Sequence, residues 1–98
     1  MKLQQLRFLF AVVNHDLSIT AAAEVLYTSQ PGISKQIRQL EDELGLKLFV
    51  RQGKRLAALT PAGERVISHA GKVLQEVEQI RKVAEEMRRD SKPYNTLV

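Results

Sequence analysis

Between Thr28 and Gly45 the sequence spells out one short amphipathic helix with its own start and stop signals. Thr28 or Ser29 offers a side-chain oxygen to the free N–H groups of a first turn. Pro31 fits that turn because no intrahelical hydrogen bond is lost there. Ile33, Ile37, Leu40 and Leu44 recur at helical spacing and form a buried stripe. Gly45 supplies a left-handed stop. At about 100° per residue, Pro31, Ser34, Lys35 and Arg38 fall on the arc away from that stripe, with Gln30 at the tip. A helix this short, polar and cationic on one side and apolar on the other, must lean on other elements, and the flanking sequence supplies them.

Upstream, Leu3, Leu6, Phe10 and Val13 predict a first helix over residues 3–15, fraying at Asn14, His15 and Asp16. Ser18 is a candidate N-cap for a second helix bearing Ile19, Ala22, Ala23 and Leu26. The consecutive alanines Ala21 to Ala23 let the following helix cross closely. Two helices joined by a few residues, the second amphipathic, make a helix-turn-helix over about 19–44. Downstream, residues 48–51 and 54–59 read as two short strands around a Gln52-Gly53 turn. Such a hairpin is marginal alone and must rest on the helices through Phe49 and a neighbouring leucine, as a wing over about 47–59.

Thr60-Pro61 marks a fresh start, a cap followed by proline at the first helical position. From there Val66, Ala70, Val73, Val77, Ile80, Ala84 and Met87 are spaced alternately by four and three, a heptad stripe. A helix over 61–90 would be roughly 45 Å long. That is too long to pack entirely on a domain of residues 1–60, so the stripe is expected to pair with a second copy of itself. Residues 91–98 have no periodicity and read as a tail. The expected fold is therefore mainly α, a winged helix-turn-helix of three helices and a two-stranded wing, followed by a long dimerising linker helix.

Charge placement narrows the chemistry. The chain carries a formal net charge of +4, and acidic and basic side chains balance over residues 61–90. Lys47, Arg51, Lys54 and Arg55 fall within residues 47–55 with no acidic residue among them. A basic patch beside the polar face of the third helix points to a polyanion. Singly, each polar residue is ordinary wet surface. Together with the alanine-rich helix, the short turn and the wing, they point to double-stranded DNA. Gln30 can read adenine edges, Lys35 and Arg38 can read guanine or neutralise phosphate, and Ser34 can contact either. Arg51, Lys54 and Arg55, at or beside the wing turn, can enter a minor groove or hold phosphates. The run Glu41-Asp42-Glu43 reads as solubilising surface that limits how much of the helix enters a groove.

Other classes fare poorly. There is no cysteine, so disulfides and thiolate chemistry are excluded. His15 and His69 lie far apart and neither has a second ligand at metal spacing. No phosphate loop and no nucleophile–base set is present, so neither an enzyme nor a cofactor is expected. No apolar run could span a bilayer, and the first residues lack a signal-peptide core. A cytoplasmic, membrane-free setting fits. A competing reading makes the heptad helix the working part of a protein-interaction module. A further one is double-stranded RNA binding by a winged helix.

These residues resemble the DNA-binding domain of LysR-type transcriptional regulators over most of the chain. The markers are Leu6-Arg7-Phe8, Ala22-Ala23-Glu24 with Leu26, Ser29-Gln30-Pro31 through Ser34-Lys35-Gln36-Ile37, Leu40-Glu41, Glu43-Leu44-Gly45, Leu48-Phe49 with Arg51, Leu59-Thr60 and Ala62-Gly63. The stretches Met1 to Arg7, Tyr27 to Arg38, Gly32 included, and Leu40 to Gly45 are similar to the CysB branch, which controls sulfur assimilation and cysteine biosynthesis genes. The resemblance implies antiparallel pairing of linker helices. It also implies major-groove contacts from Gln30, Pro31, Ser34 and Lys35, and a minor-groove contact from the arginine near the wing turn. Lys35 stands where arginine is common in the family. An effector domain of two α/β lobes, implied for the family, is absent from this sequence. No inducer is therefore expected to bind this segment, and a tetramer is expected only where that domain is present.

Overall fold

The computed structural model describes the backbone of residues 1–95 and the side chains of residues 1–90. The order is α1 (Leu3–Asn14), α2 (Ile19–Val25), α3 (Gln30–Leu44), β1 (Phe49–Gln52), β2 (Arg55–Leu59) and α4 (Pro61–Asn95). The molecule measures 62 × 25 × 21 Å, because the far part of α4 leaves the body formed by the other elements. No single described helix is long and apolar enough to cross a membrane.

The core takes Leu6, Ala22, Ala23, Ile33, Ile37 and Leu40 from the stripes read in the sequence. The expected α1 stripe is corrected, because α1 turns Phe8, Leu9 and Val12 inward as well, leaving Leu3 exposed and Phe10 and Val13 only half-buried. Leu9, Val12, Ile33, Leu40 and Leu48 are fully buried, and Ile37 nearly so. Ala22 and Ala23 are buried where α2 meets α3, as close approach requires. A buried polar link joins α1 to α3. Gln5 accepts the N–H of Lys2 at 3.0 Å and donates through Nε2 to Gln36 Oε1 at 3.3 Å.

The helix ends are set locally. Ser18 Oγ accepts the N–H of Ala21 at 3.0 Å, and Ser29 Oγ accepts the N–H of Gly32 at 3.0 Å, so Ser29 rather than Thr28 caps α3. At the end of α3, Gly45 (φ 69°) turns left-handed, and the N–H groups of Gly45 and Leu46 bond to the carbonyls of Asp42 and Glu41. The end of α2 uses the same motif with a residue poorly suited to it. Tyr27 sits at φ 53°, its N–H donates to Glu24, and that of Thr28 donates to Ala23.

The wing strands pair antiparallel from Phe49↔Leu59 to Gln52↔Arg55, with a bulge between Val50 and Arg51. The connecting residues are Gly53 and Lys54, one position later than the expected Gln52-Gly53. Gly53 (φ 63°) takes the positive-φ first position of a tight hairpin turn. Phe49 and Leu56 anchor the hairpin in the core.

Thr60 joins the wing to α4. Its hydroxyl donates to Lys47 O at 2.6 Å and accepts the N–H of Gly63 at 2.9 Å. A Cβ on Gly63 would come within 2.1 Å of Leu48 O, so only glycine permits this approach of helix to wing. Further along α4, Val66 and Ile67 pack on the core, Ala70 is 1% exposed, and the ring of Phe10 closes on Gly71. Two expectations are corrected here. Val66 and Ala70, read as part of a dimer stripe, are occupied within their own chain. The helix also does not stop at residue 90 but continues through Asn95. The rest of the expected tail, residues 96–98, lies outside the described residues.

Candidate nucleic-acid interface

The first turns of α3, the start of α2 and the wing turn enclose an open cleft of about 960 Å³. Gln30, Pro31, Ser34 and Arg38 of α3 line it together with Lys54 and Arg55 of the wing. Gln30, Pro31, Arg38, Lys54 and Arg55 are exposed, and Ser34 is half-buried. Lys35 is also exposed but borders a shallower neighbouring depression with Pro31, Ser34 and Arg38. Six of the eight sequence-derived candidates thus meet in one opening, and a seventh adjoins it.

Arg51 is placed differently. Its guanidinium lies 3.0 Å (Nη2 to Oε1) and 3.4 Å (Nη1 to Oε2) from the carboxylate of Glu41. The same carboxylate accepts the N–H of Leu48 at 2.7 Å. Glu41 is 3% exposed, so the reading of this part of the acidic run as surface is corrected. Burial pushes the Glu41 carboxyl up, but the hydrogen bonds from Arg51 and Leu48 and the charge of Arg51 outweigh it and hold the group below its ordinary value. Arg51 is therefore a strut between α3 and the wing. The cations that line the cleft, Arg38, Lys54 and Arg55, form no salt bridge among the described residues.

The helical spacing of Ile33, Ile37 and Glu41 already placed this glutamate along the buried stripe, but nothing local named its partner ten residues on. Asp16, Ser18 and Thr20 also line the cleft and were not singled out from sequence. They reach it because Asp16 (φ 56°) and Leu17 (φ 63°) fold the α1–α2 connection back; aspartate tolerates that conformation, but nothing in a leucine signals it.

Comparison with known proteins agrees with this arrangement. A family profile described as "Bacterial regulatory helix-turn-helix protein, lysR family" matches residues 3–64. The HTH-type transcriptional regulator CysB of Haemophilus influenzae is 54% identical over 89 residues, which is 91% of this chain and 28% of that protein. The HTH-type transcriptional regulator SsuR of Burkholderia cenocepacia is 49% identical over 84 residues, 86% of this chain and 27% of that protein. The chain thus spans somewhat over a quarter of the length of these relatives. Among solved structures, the BenM_DBD/catB site 1 DNA complex superposes with a TM-score of 0.80 at 37% identity, covering 89% of this chain and 96% of that one. By profile, by identity and by fold, the chain belongs to the lysR family of bacterial regulatory helix-turn-helix proteins.

Proposed function

We propose that this chain binds an inverted-repeat operator as a homodimer and regulates genes of sulfur assimilation and cysteine biosynthesis. The observation that carries the DNA reading is the cleft. It brings hydrogen-bonding side chains at the start of α3 together with free cations of α3 and the wing, in a space open on one side. The likeness to a structure solved with DNA supports the same orientation. Gln30, Ser34 and Lys35 then meet base edges in the major groove, with Pro31 packed alongside. Arg38, Lys54 and Arg55 hold phosphates or enter the adjoining minor groove.

An exposed apolar stripe on α4 supports a dimer formed by pairing of these helices. Beyond the part packed on α1, Val73, Ile80, Val83 and Met87 are 42%, 67%, 57% and 59% exposed, an apolar stripe longer than scattered surface residues produce. Val77 and Ala84 continue it. A tetramer belongs to an assembly that also carries an effector domain. A cytoplasmic setting accords with DNA binding in a family of bacterial regulators. The sulfur assignment rests on the CysB and SsuR relatives and on the CysB-like stretches around residues 1–7 and 27–38.

Selection of bound duplexes from a random library tests the reading. Enrichment of two inverted half-sites, centred about one helical turn or a multiple of it apart, is expected. Genomic footprinting should place such sites upstream of sulfate-uptake and cysteine-synthesis genes. An unenriched pool would contradict the operator reading, and sites elsewhere in the genome would contradict the sulfur assignment alone.

A further inference from the structure

The α1–α2 turn brings a carboxylate to the DNA cleft. Asp16 lines the same opening as Arg38, Lys54 and Arg55, and it is the one acidic side chain among the lining residues. It is exposed, and among the described residues it forms no salt bridge. Its position is fixed by the backbone. Asp16 and Leu17 are both left-handed, and the turn is tied by the N–H of Leu17 to Val12 O at 2.9 Å and the N–H of Ser18 to His15 O at 3.0 Å. An unpaired anion is thus held at the edge of a site whose ligand is a polyanion.

We propose that Asp16 is an affinity-limiting residue of this cleft. Its charge opposes incoming phosphates and holds the binding of every duplex below what Arg38, Lys54 and Arg55 would otherwise give. The inference rests on the DNA-binding reading. Screening at physiological salt acts over about 8 Å, so a phosphate that comes within that distance of the carboxylate at the cleft edge feels its charge. Sequence-independent binding is almost wholly electrostatic, so one charge is enough to shift it measurably. A carboxylate can also accept a hydrogen bond from cytosine N4. Asp16, however, sits on the turn and not on the first turns of α3, which present the base-reading groups. A backbone-facing role follows, indifferent to sequence.

The test uses the full chain, fluorescence anisotropy, and two duplexes, one selected for tight binding and one unrelated. Asp16→Asn removes the charge and suits a left-handed backbone, so the fold is retained, as a thermal melt will verify. Glu76→Gln removes the same charge from an exposed position on α4, outside the cleft. Asp16→Asn is expected to tighten both duplexes about three- to tenfold at low salt, with the gain shrinking as salt rises. Glu76→Gln is expected to shift binding by less than about twofold. A gain no larger than that of Glu76→Gln, a loss of affinity, or a change confined to one duplex would overturn the proposal, the last making Asp16 a base reader. Failure of the unaltered chain to bind either duplex would instead remove the DNA reading on which it rests.

Discussion

Glu41 and Arg51 form a two-pronged ion pair that fastens the wing to the recognition helix. The carboxylate comes from the last turn of α3 and the guanidinium from β1, and the N–H of Leu48 completes the site. Because the carboxylate is buried while Arg51 keeps a quarter of its side chain exposed, removing the negative charge leaves Arg51 without a counter-ion, whereas an amide oxygen in its place still accepts the N–H of Leu48. The pair fixes the angle between the two surfaces that line the cleft.

Glu41→Gln is expected to cost about 2–3 kcal/mol of folding stability in urea denaturation. It should also introduce a pH signature. The carboxyl titrates below its ordinary value of 4.5 in the folded chain. The unfolded chain therefore binds the proton first on acidification, and the stabilisation present above 4.5 is lost as pH falls through the lower folded value. The stability gap between the parent and Glu41→Gln should be full at about pH 6 and shrink as pH falls below 4.5. A gap that stays constant across that range would show that the pair does not stabilise the fold through its charge.

Tyr27 offers a test in the opposite direction. Its ring is 96% exposed and its backbone is left-handed, so the residue bears strain with no packing in return. Tyr27→Gly is expected to raise stability by about 1 kcal/mol, or a few degrees in Tm. A fall in Tm would mean that the tyrosine makes a stabilising contact.

Much of this fold was legible in local chemistry. Ser18, Ser29 and Thr60 cap as their residue types suggest, Gly45 and Gly53 turn where a positive φ is needed, and the Ile33, Ile37 and Leu40 stripe is core. What could not be read depends on neighbours distant in sequence. Glu41 shares the helical phase of Ile33 and Ile37, but what compensates a buried carboxylate there is visible only once Arg51 and the N–H of Leu48 are brought to it. Ala70 fits a heptad as well as any small residue, and only the packing of α4 on α1 assigns it to the core. The six cleft residues on α3 and the wing turn were found from helical phase and charge, whereas Asp16 enters through two unforeseen left-handed residues.

The exposed half of α4 gives a prediction about assembly. Ile80→Asp places a charge in the middle of the apolar stripe without touching the part packed on α1. Sedimentation equilibrium should report a dimer for the parent and a monomer for the variant, with the thermal melt of the winged domain little changed. Equal masses for the two proteins would exclude α4 pairing as the basis of the dimer.

The proposed cleft divides its labour, with Gln30, Ser34 and Lys35 selecting bases and Arg38 and the wing cations holding phosphates. This division is tested most directly by measuring the salt dependence of binding for the parent, Gln30→Ala and Lys54→Ala on a selected operator and an unrelated duplex. Lys54→Ala should weaken both duplexes alike and reduce the slope of log K against log salt by about one. Gln30→Ala should erase the preference for the operator with the slope unchanged. A Lys54→Ala variant that altered sequence preference while leaving the slope intact would contradict the account.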